Sequence, residues 1–305
     1  MFKRISTLGA AMVAIMVSGQ AAIWDGESGA WASEQWGSEL TDGWPGDVNH
    51  PTTPAEINMG GVKVEIRDED SLLLDHPAGT MIKAGTVIQT GGTFTSNSRL
   101  DIRDGYQLSG GTLTGKGSIW ISHEGKFRIA GGRLEAPDAE IVFQAGPGTL
   151  QVSLGEVDIG HIIMNKESAA EAVLEVIGSE ATLKVLTFRL SGAGGISTAK
   201  FVFDASGISG WQVRGGPGSL NLGPKDNPGN LTVDVTACPS SGTEGFQLFD
   251  YTIPTALTGG FGDIVVSQGS LRLTPLESGT PKPGQYRLDL EDGEIVLYYH
   301  TPAKQ

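Results

Sequence analysis

A Gly-Gly pair opens three successive stretches of the chain: "GGTFTSNSRLDIRDG" from Gly91, "GGTLTGKGSIWISHEG" from Gly110 and "GGRLEAPDAEIVFQAG" from Gly131. Between the pairs, apolar residues fall into columns. Phe94, Leu113 and Leu134 form one, Leu100, Ile119 and Ile141 a second, and Ile102, Ile121 and Phe143 a third. Each block closes on a glycine: Gly105, Gly125 or Gly146. Inside a block the apolar positions alternate, as in Leu100-x-Ile102 and Ile119-x-Ile121. Alternation of period two is a strand with one face buried. A repeat of about 20 residues, made of strands and glycine corners without a helix, predicts a β-solenoid. Its coils stack about 4.8 Å apart, so like side chains line up in interior columns.

The pattern continues in weaker form on both sides of these blocks. "GTMIKAGTVIQTGG" precedes them, and stretches such as "GTLQVSLGEVDIGHIIM", "AKFVFDASG" and "GNLTVDVTAC" follow. Glycine, 45 of 305 residues, is spread among short apolar runs with no Gly-X-Y period, which fits many tight turns rather than collagen. Residues 57–237 have room for roughly nine coils, a rod on the order of 40 Å long. "NKESAAEAVLEVIG" at 165–178 has helix-forming alanines and glutamates, but Leu174 and Val176 alternate around Glu175, which predicts a strand. Residues 238–305 predict a C-terminal antiparallel β region. It ends in a hairpin, "YRLDLEDGEIVLYYH", with Asp292-Gly293 at the turn. Tyr286, Leu288 and Leu290 share one face of its first strand, and Ile295, Leu297 and Tyr299 one face of its second.

"GGTLTGKGS" at 110–118 also resembles a phosphate-binding loop, with Lys116 directly after Gly115. Such a loop needs Ser or Thr after the lysine and a helix beyond it. This chain has Gly117 and then the strand-like "SIWIS". The stretch is read as a corner of the repeat.

The first 22 residues stand apart. Lys3 and Arg4 precede an apolar run from Leu8 to Val17, and Gly19, Ala21 and Ala22 follow. That order predicts a secretory signal peptide cut after Ala21 or Ala22. The run is short for a bilayer span, and no other stretch is apolar enough to make one, so no membrane span is expected in the mature chain. Losing Lys3 and Arg4 moves the net charge from −14 to −16. An acidic surface repels nucleic acid and anionic lipid. The single cysteine, Cys238, excludes an intramolecular disulfide and a multi-cysteine zinc site. It reads as a small buried apolar residue.

Residues 23–56 hold four of the six tryptophans, Trp24, Trp31, Trp36 and Trp44, among several prolines. A solenoid end exposes strand edges and core, and these rings are expected to cap it. Alternatively they form an aromatic platform for carbohydrate. The "W-D-G … W … W … P-G-D" segment, the Gly-Gly-Thr coils and the closing "FQLFDY … GGFGDI … YRLDLEDGEIVLYYH" are similar to exported bacterial repeat proteins, namely autotransporter passenger domains and related surface β-helix proteins. The resemblance implies a right-handed parallel β-helix with an adhesin-like or matrix role at the cell surface. It implies no catalytic residues.

Candidate chemistry is sparse. Asp101, Arg103 and Asp104 are expected on the outer face of one coil, with His123 and Glu124 at the matching place one coil later. A lyase or hydrolase needs clustered acids and bases. The column Asp104, Glu124, Ala145 does not keep its acids, so a solvated face is the simpler expectation. "RDEDS" at 67–71 and "DLEDGE" at 289–294 offer alternate carboxylates for weak Ca²⁺ binding, without the spacing of a dedicated loop. The five histidines are scattered and no Gly-x-Ser-x-Gly elbow is present. The expectation is a secreted, non-enzymatic structural or adhesive solenoid without a cofactor, whose partners are extracellular polysaccharide or cell-surface components. The alternative is a carbohydrate-binding or polysaccharide-degrading protein on the same fold.

Overall fold

The computed structural model describes residues 61–302 apart from 62, 69, 75–78, 145, 165–171, 191–196, 217–218, 222–229, 252–256, 259–263 and 292. It also describes the strands Ala21–Ile23, Gly29–Ala30 and Glu56–Asn58. Among the described residues every regular element is a strand, and none is a helix.

The strands stack in three parallel ladders, which the chain visits in turn. The first ladder runs through Lys63–Ile66, Thr86–Gln89, Gly105–Leu108 and the start of Lys126–Phe143. It continues through the start of Gly148–Ile163, then Ala172–Ile177, Ser197–Val202, Asn230–Asp234 and Ile264–Gln268. The second contains Ser71–Leu74, Thr93–Ser96, Thr112–Gly115 and, at its far end, Trp211–Val213 and Phe249–Tyr251. The third contains Glu56–Asn58, Thr80–Lys83, Leu100–Ile102, Ile119–Ile121 and, later, Leu220–Asn221 and Leu257–Thr258. Lys126–Phe143 and Gly148–Ile163 each bend through all three ladders, with irregular pairing where they turn. The protein is an all-β solenoid of stacked parallel strands.

The predicted columns are the core. Leu113 pairs with Phe94 below and Leu134 above. Ile119 and Ile121 pair with Leu100 and Ile102 below, and with Ile141 and Phe143 above. All of these side chains are buried. Each is flanked along its strand by an outward residue, as in the alternation Ile119 in, Trp120 out, Ile121 in. Burial at about 1.5–3 kcal/mol per large apolar side chain supplies the driving force, and the ladders satisfy the backbone. The "AVLEVI" stretch is a strand, Ala172–Ile177, as its alternation requires.

The corners of the early coils explain the glycine pairs. A Cβ on Gly111 would lie 2.2 Å from the Gly91 carbonyl oxygen, and one on Gly117 only 1.6 Å from that of Ser98. Lys116 sits in this corner, with Thr112–Gly115 on one side and Ile119–Ile121 on the other, so no helix follows it.

Two features differ from the sequence reading. First, the coil length drifts. In the early coils Val64 pairs with Val87 and Val87 with Tyr106. In the later ones Ala199 pairs with Leu231 and Leu231 with Ile264, so each turn takes up a distinctly longer piece of chain. Second, parallel pairing continues past residue 237, because Trp211–Val213 pairs with Phe249–Tyr251, Leu231 with Ile264, and Thr274–Pro275 with the start of Gln285–Glu291. An alternating strand looks the same in sequence whether its neighbour runs parallel or antiparallel.

The antiparallel part closes this end. Gln285–Glu291 and Glu294–His300 form the expected hairpin, with Tyr286 opposite Tyr299, Leu288 opposite Leu297 and Leu290 opposite Ile295. Gly293 turns with φ +96°, a conformation that favours glycine. The second strand pairs antiparallel with Ser241–Tyr251. The Tyr299 hydroxyl donates to the Cys238 carbonyl, and the Tyr286 hydroxyl to that of Ile264 at 2.8 Å. Cys238 is buried in the core beneath them.

Candidate functional site

Leu100–Ile102 sets Asp101 on the outside of the third ladder, with Met81 and Trp120 as its register partners in the coils below and above. Sequence reading expects this carboxylate to be solvated. It is 2% exposed. One oxygen accepts the Ser122 hydroxyl at 2.6 Å, and the other accepts Arg103 Nε at 3.0 Å. The correction has a simple cause. Pointing outward in a stacked sheet does not mean pointing into water when the ladder neighbours are large. A carboxylate enclosed in this way needs hydrogen bonds and a counter-charge, and Ser122 and Arg103 supply them.

Asp104 and Glu124 are exposed at the corners that follow this ladder. The Asp104 carboxylate accepts the Gly85 backbone N–H at 2.7 Å and so ties its corner to the one before. Glu124 turns with φ +73° directly after His123 at +52°, and its N–H donates to the Pro147 carbonyl. These three acids occupy two corners and one enclosed wall position. Asp101 and Asp104 both serve coil-to-coil bonds. Glycoside hydrolysis commonly uses two carboxyl groups flanking one reacting bond, and these three acids are not grouped in that way.

Other outward charges also pair. Arg133 meets Glu135 on its own strand at 3.3 Å and Glu156 on the next coil at 3.6 Å. Arg214 reaches Asp158, and Lys200 lies 3.9 Å from both Glu175 and Asp234. Exposed pairs of this kind contribute about 0–1 kcal/mol each. At the two stretches considered for Ca²⁺, the carboxylates serve local structure. Asp70 accepts the Arg67 N–H at 2.7 Å, and Asp289 accepts Arg287 through both oxygens at 2.7 and 2.6 Å. Glu69 and Asp292 lie outside the described residues. Among the described residues no group of three or more His, Cys, Asp or Glu is placed to hold a metal ion.

Trp24, Trp31, Trp36 and Trp44 lie outside the described residues, as do residues 1–20 of the expected signal peptide.

Two constellations escaped the sequence reading. Gln89 points into the core at 0% exposure. Its Nε2 donates to the carbonyls of Gly91, Gly92 and Thr112, and its Oε1 accepts the Tyr106 hydroxyl at 2.6 Å. Tyr106 in turn stands edge-on between Phe94 and Phe127. Burial raises the Tyr106 phenol well above its ordinary value, so it remains a donor. The alternation Val87-x-Gln89 does mark position 89 as inward, but its polar residue type obscures that signal. The second constellation is on the outer wall, where the Arg99 guanidinium lies over the Trp120 ring, 4.4 Å from its centroid.

No protein-family model, curated protein or solved structure matches the chain. The functional reading therefore rests on these residues.

Proposed function

We propose that this protein is an exported, non-enzymatic solenoid with a structural or adhesive role at the cell surface or in the extracellular matrix. The observation that carries the reading is the placement of its acidic residues. Asp101, the most enclosed carboxylate of the candidate face, has both oxygens bonded within the wall, and Asp104 holds a corner. A fold alone decides no function; the reading is supported by the bonds that tie Asp101 and Asp104 into the wall and its corner.

The solenoid is right-handed in this reading, the hand nearly all parallel strand connections adopt. Its first end is capped by the tryptophan segment, and the topology supports that placement. Gly29–Ala30 joins the first ladder, and Glu56–Asn58 the third. Residues 31–55 link the two at the end where Ser71–Leu74 is the first described strand of the second ladder. The segment is about twice as long as 67–79, which makes the same passage one coil later. It has length enough to complete that coil and cover the core mouth with Trp31, Trp36 and Trp44, as an unprotected end requires.

The test combines export and chemistry. Fractionation of a host with a secretory pathway, with N-terminal sequencing, should find the chain outside the cytoplasm beginning at Ala22 or Ile23. A polysaccharide panel incubated with it should release no product. Reducing ends or unsaturated uronates that disappear in Asp101→Asn would overturn the non-enzymatic reading.

A further inference from the structure

Among the described residues, five enclosed side-chain polar atoms have no hydrogen-bond partner. Three of them gather at one place: Ser98 Oγ, Arg99 Nε and Trp120 Nε1. Unpaired enclosed polar atoms are uncommon in folded proteins, and a group of them asks for an explanation. Ser98 and Arg99 immediately precede Leu100–Ile102, and Trp120 stands on the coil above. The Arg99 guanidinium rests on the Trp120 ring. On the coil below, Gly79 leaves room for its stem, since a Cβ there would lie 2.7 Å from Arg99 Cβ and 3.1 Å from its Nε. Arg99 is thus laid against the wall between a glycine and an indole.

Arg67, Arg103, Arg133, Arg214 and Arg287 each meet a carboxylate. Among the described residues Arg99 meets none, and neither do Arg128, Arg189 and Arg272, but Arg99 alone of these four has an enclosed, unpaired guanidinium nitrogen. This occurs in a chain with 35 acidic residues against 21 basic. Its Nε is enclosed, but its two Nη atoms are not among the enclosed ones. The nearest carboxylate on its own strand, Asp101, is already held by Ser122 and Arg103. The result is a planar donor fork, oriented by packing, whose Nη edge meets no carboxylate among the described residues.

We propose that Arg99 and Trp120 form a binding site for a carboxylate group, and that its ligand is a uronic-acid unit of an acidic extracellular polysaccharide. A guanidinium fork matches a carboxylate with two parallel hydrogen bonds. Holding the fork in place beforehand lowers the entropy lost on binding. The indole beside it is part-exposed and adds apolar surface next to the fork, while its N–H is enclosed and one ring face lies under the guanidinium. Trp120 thus takes the carbohydrate role that the sequence suggests for the tryptophans near the N-terminus.

The site rests on the exported reading for the source of its ligand, but binding is measured on the purified chain. Failure to bind therefore leaves export standing, and failure of export leaves the site standing. The probes are polygalacturonate, neutral dextran and poly-glutamate, followed by calorimetry and by Trp120 fluorescence. Polygalacturonate should bind and dextran should not. Arg99→Gln and Arg99→Lys should each weaken binding by about tenfold or more, because lysine keeps the charge and loses the fork. Trp120→Leu should weaken it and remove the fluorescence response. Arg128→Gln, an exposed cation on the first ladder, should change affinity by less than about twofold. Thermal unfolding of each variant confirms that it is folded. No binding of polygalacturonate, equal loss in Arg128→Gln, or equally tight binding of poly-glutamate would each overturn the proposal.

Discussion

The corner between the first and second ladders is built in two ways along the same rod. In the early coils a glycine backbone rests on the backbone beneath it. A Cβ on Gly92 would lie 2.3 Å from the Arg67 carbonyl oxygen, one on Gly111 2.2 Å from that of Gly91, and one on Gly155 2.6 Å from that of Gly132. In the later coils the same corner meets side chains instead. A Cβ on Gly178 would lie 2.6 Å from the Asp204 carboxylate, and one on Gly207 2.9 Å from the Phe246 ring. The interiors change with the corners. Early columns are mainly Ile, Leu and Val, whereas Phe188, Phe201, Trp211 and Phe249 cluster later, with ring centroids 4.9 to 6.2 Å apart. Backbone resting on backbone leaves no slack at the early corners. The Gly178 corner, residues 178–180, is as short as 90–92 and 109–111, whereas the Gly207 corner runs from 203 to 210, and large rings fill the later core. The separation is not absolute: at the next corner, between the second and third ladders, a Cβ on Gly215 would lie 2.1 Å from the Leu186 carbonyl oxygen.

The comparison breaks first at glycine. Gly111 and Gly207 both have positive φ, +68° and +103°, so an alanine meets backbone strain at either. They differ in what the added methyl strikes. Gly111→Ala pushes against a carbonyl that cannot turn aside, and should cost more than about 3 kcal/mol. Gly207→Ala displaces a partly buried ring that can tilt, and should cost about 1–2 kcal/mol. Urea midpoints measure both. Equal costs would mean that φ, not stacking, governs the corner.

A smaller effect sharpens the contrast of interiors. The early core contains a polar pair, Gln89 and Tyr106, whose bonds reach the glycine corner itself. Tyr106→Phe keeps the ring between Phe94 and Phe127 but leaves Gln89 Oε1 without its donor. The expected loss is about 1–3 kcal/mol, the cost of an unsatisfied buried acceptor. Gln89→Leu with Tyr106→Phe should recover part of it. If the double variant loses the sum of both singles, the pair is not a coupled unit.

The parts of this fold that could be read in advance are those in which one residue's type fixes its surroundings. Leu113, Ile119 and Ile121 are inward because alternation leaves them nowhere else to go, and the hairpin register from Tyr286 to Tyr299 follows from one glycine turn. The drift in coil length was not legible, because extra residues in a corner leave the strand pattern intact. Nor was Asp101. Its enclosure depends on Met81 in the coil below, on Trp120 in the coil above, and on Arg103 choosing it as partner. The Arg99–Trp120 contact likewise exists only because stacking brings successive coils together.

The gentlest probe is acid, because it acts on the side-chain corners of the later coils. The Ser179 N–H, in the preceding coil, donates to Asp204 at 2.8 Å; with help from Ser206 and the Ser179 hydroxyl it holds this carboxyl below its ordinary value. At Asp234 partial burial pulls upward, but bonds from Thr236 and the Lys200 charge outweigh it and the net shift is again downward. A carboxyl lowered in the folded state is protonated more readily in the unfolded one. Its contribution is therefore full above the unfolded value of about 4 and is lost as pH falls through the lower folded value. Both groups face solvent in part, so the effect is the smallest of the three. Acid also relieves repulsion in a chain of net charge −14, everywhere along the rod, so the order of loss matters more than its size. Hydrogen exchange should show Ser197–Val202 and Asn230–Asp234 losing protection below about pH 4, before Thr86–Gln89 and Gly105–Leu108 do. Asp204→Asn should be less stable at neutral pH and should lose less on acidification. Earlier loss in the glycine-cornered coils, or an unchanged acid response in Asp204→Asn, would show that the side-chain corners do not set the weak end of the rod.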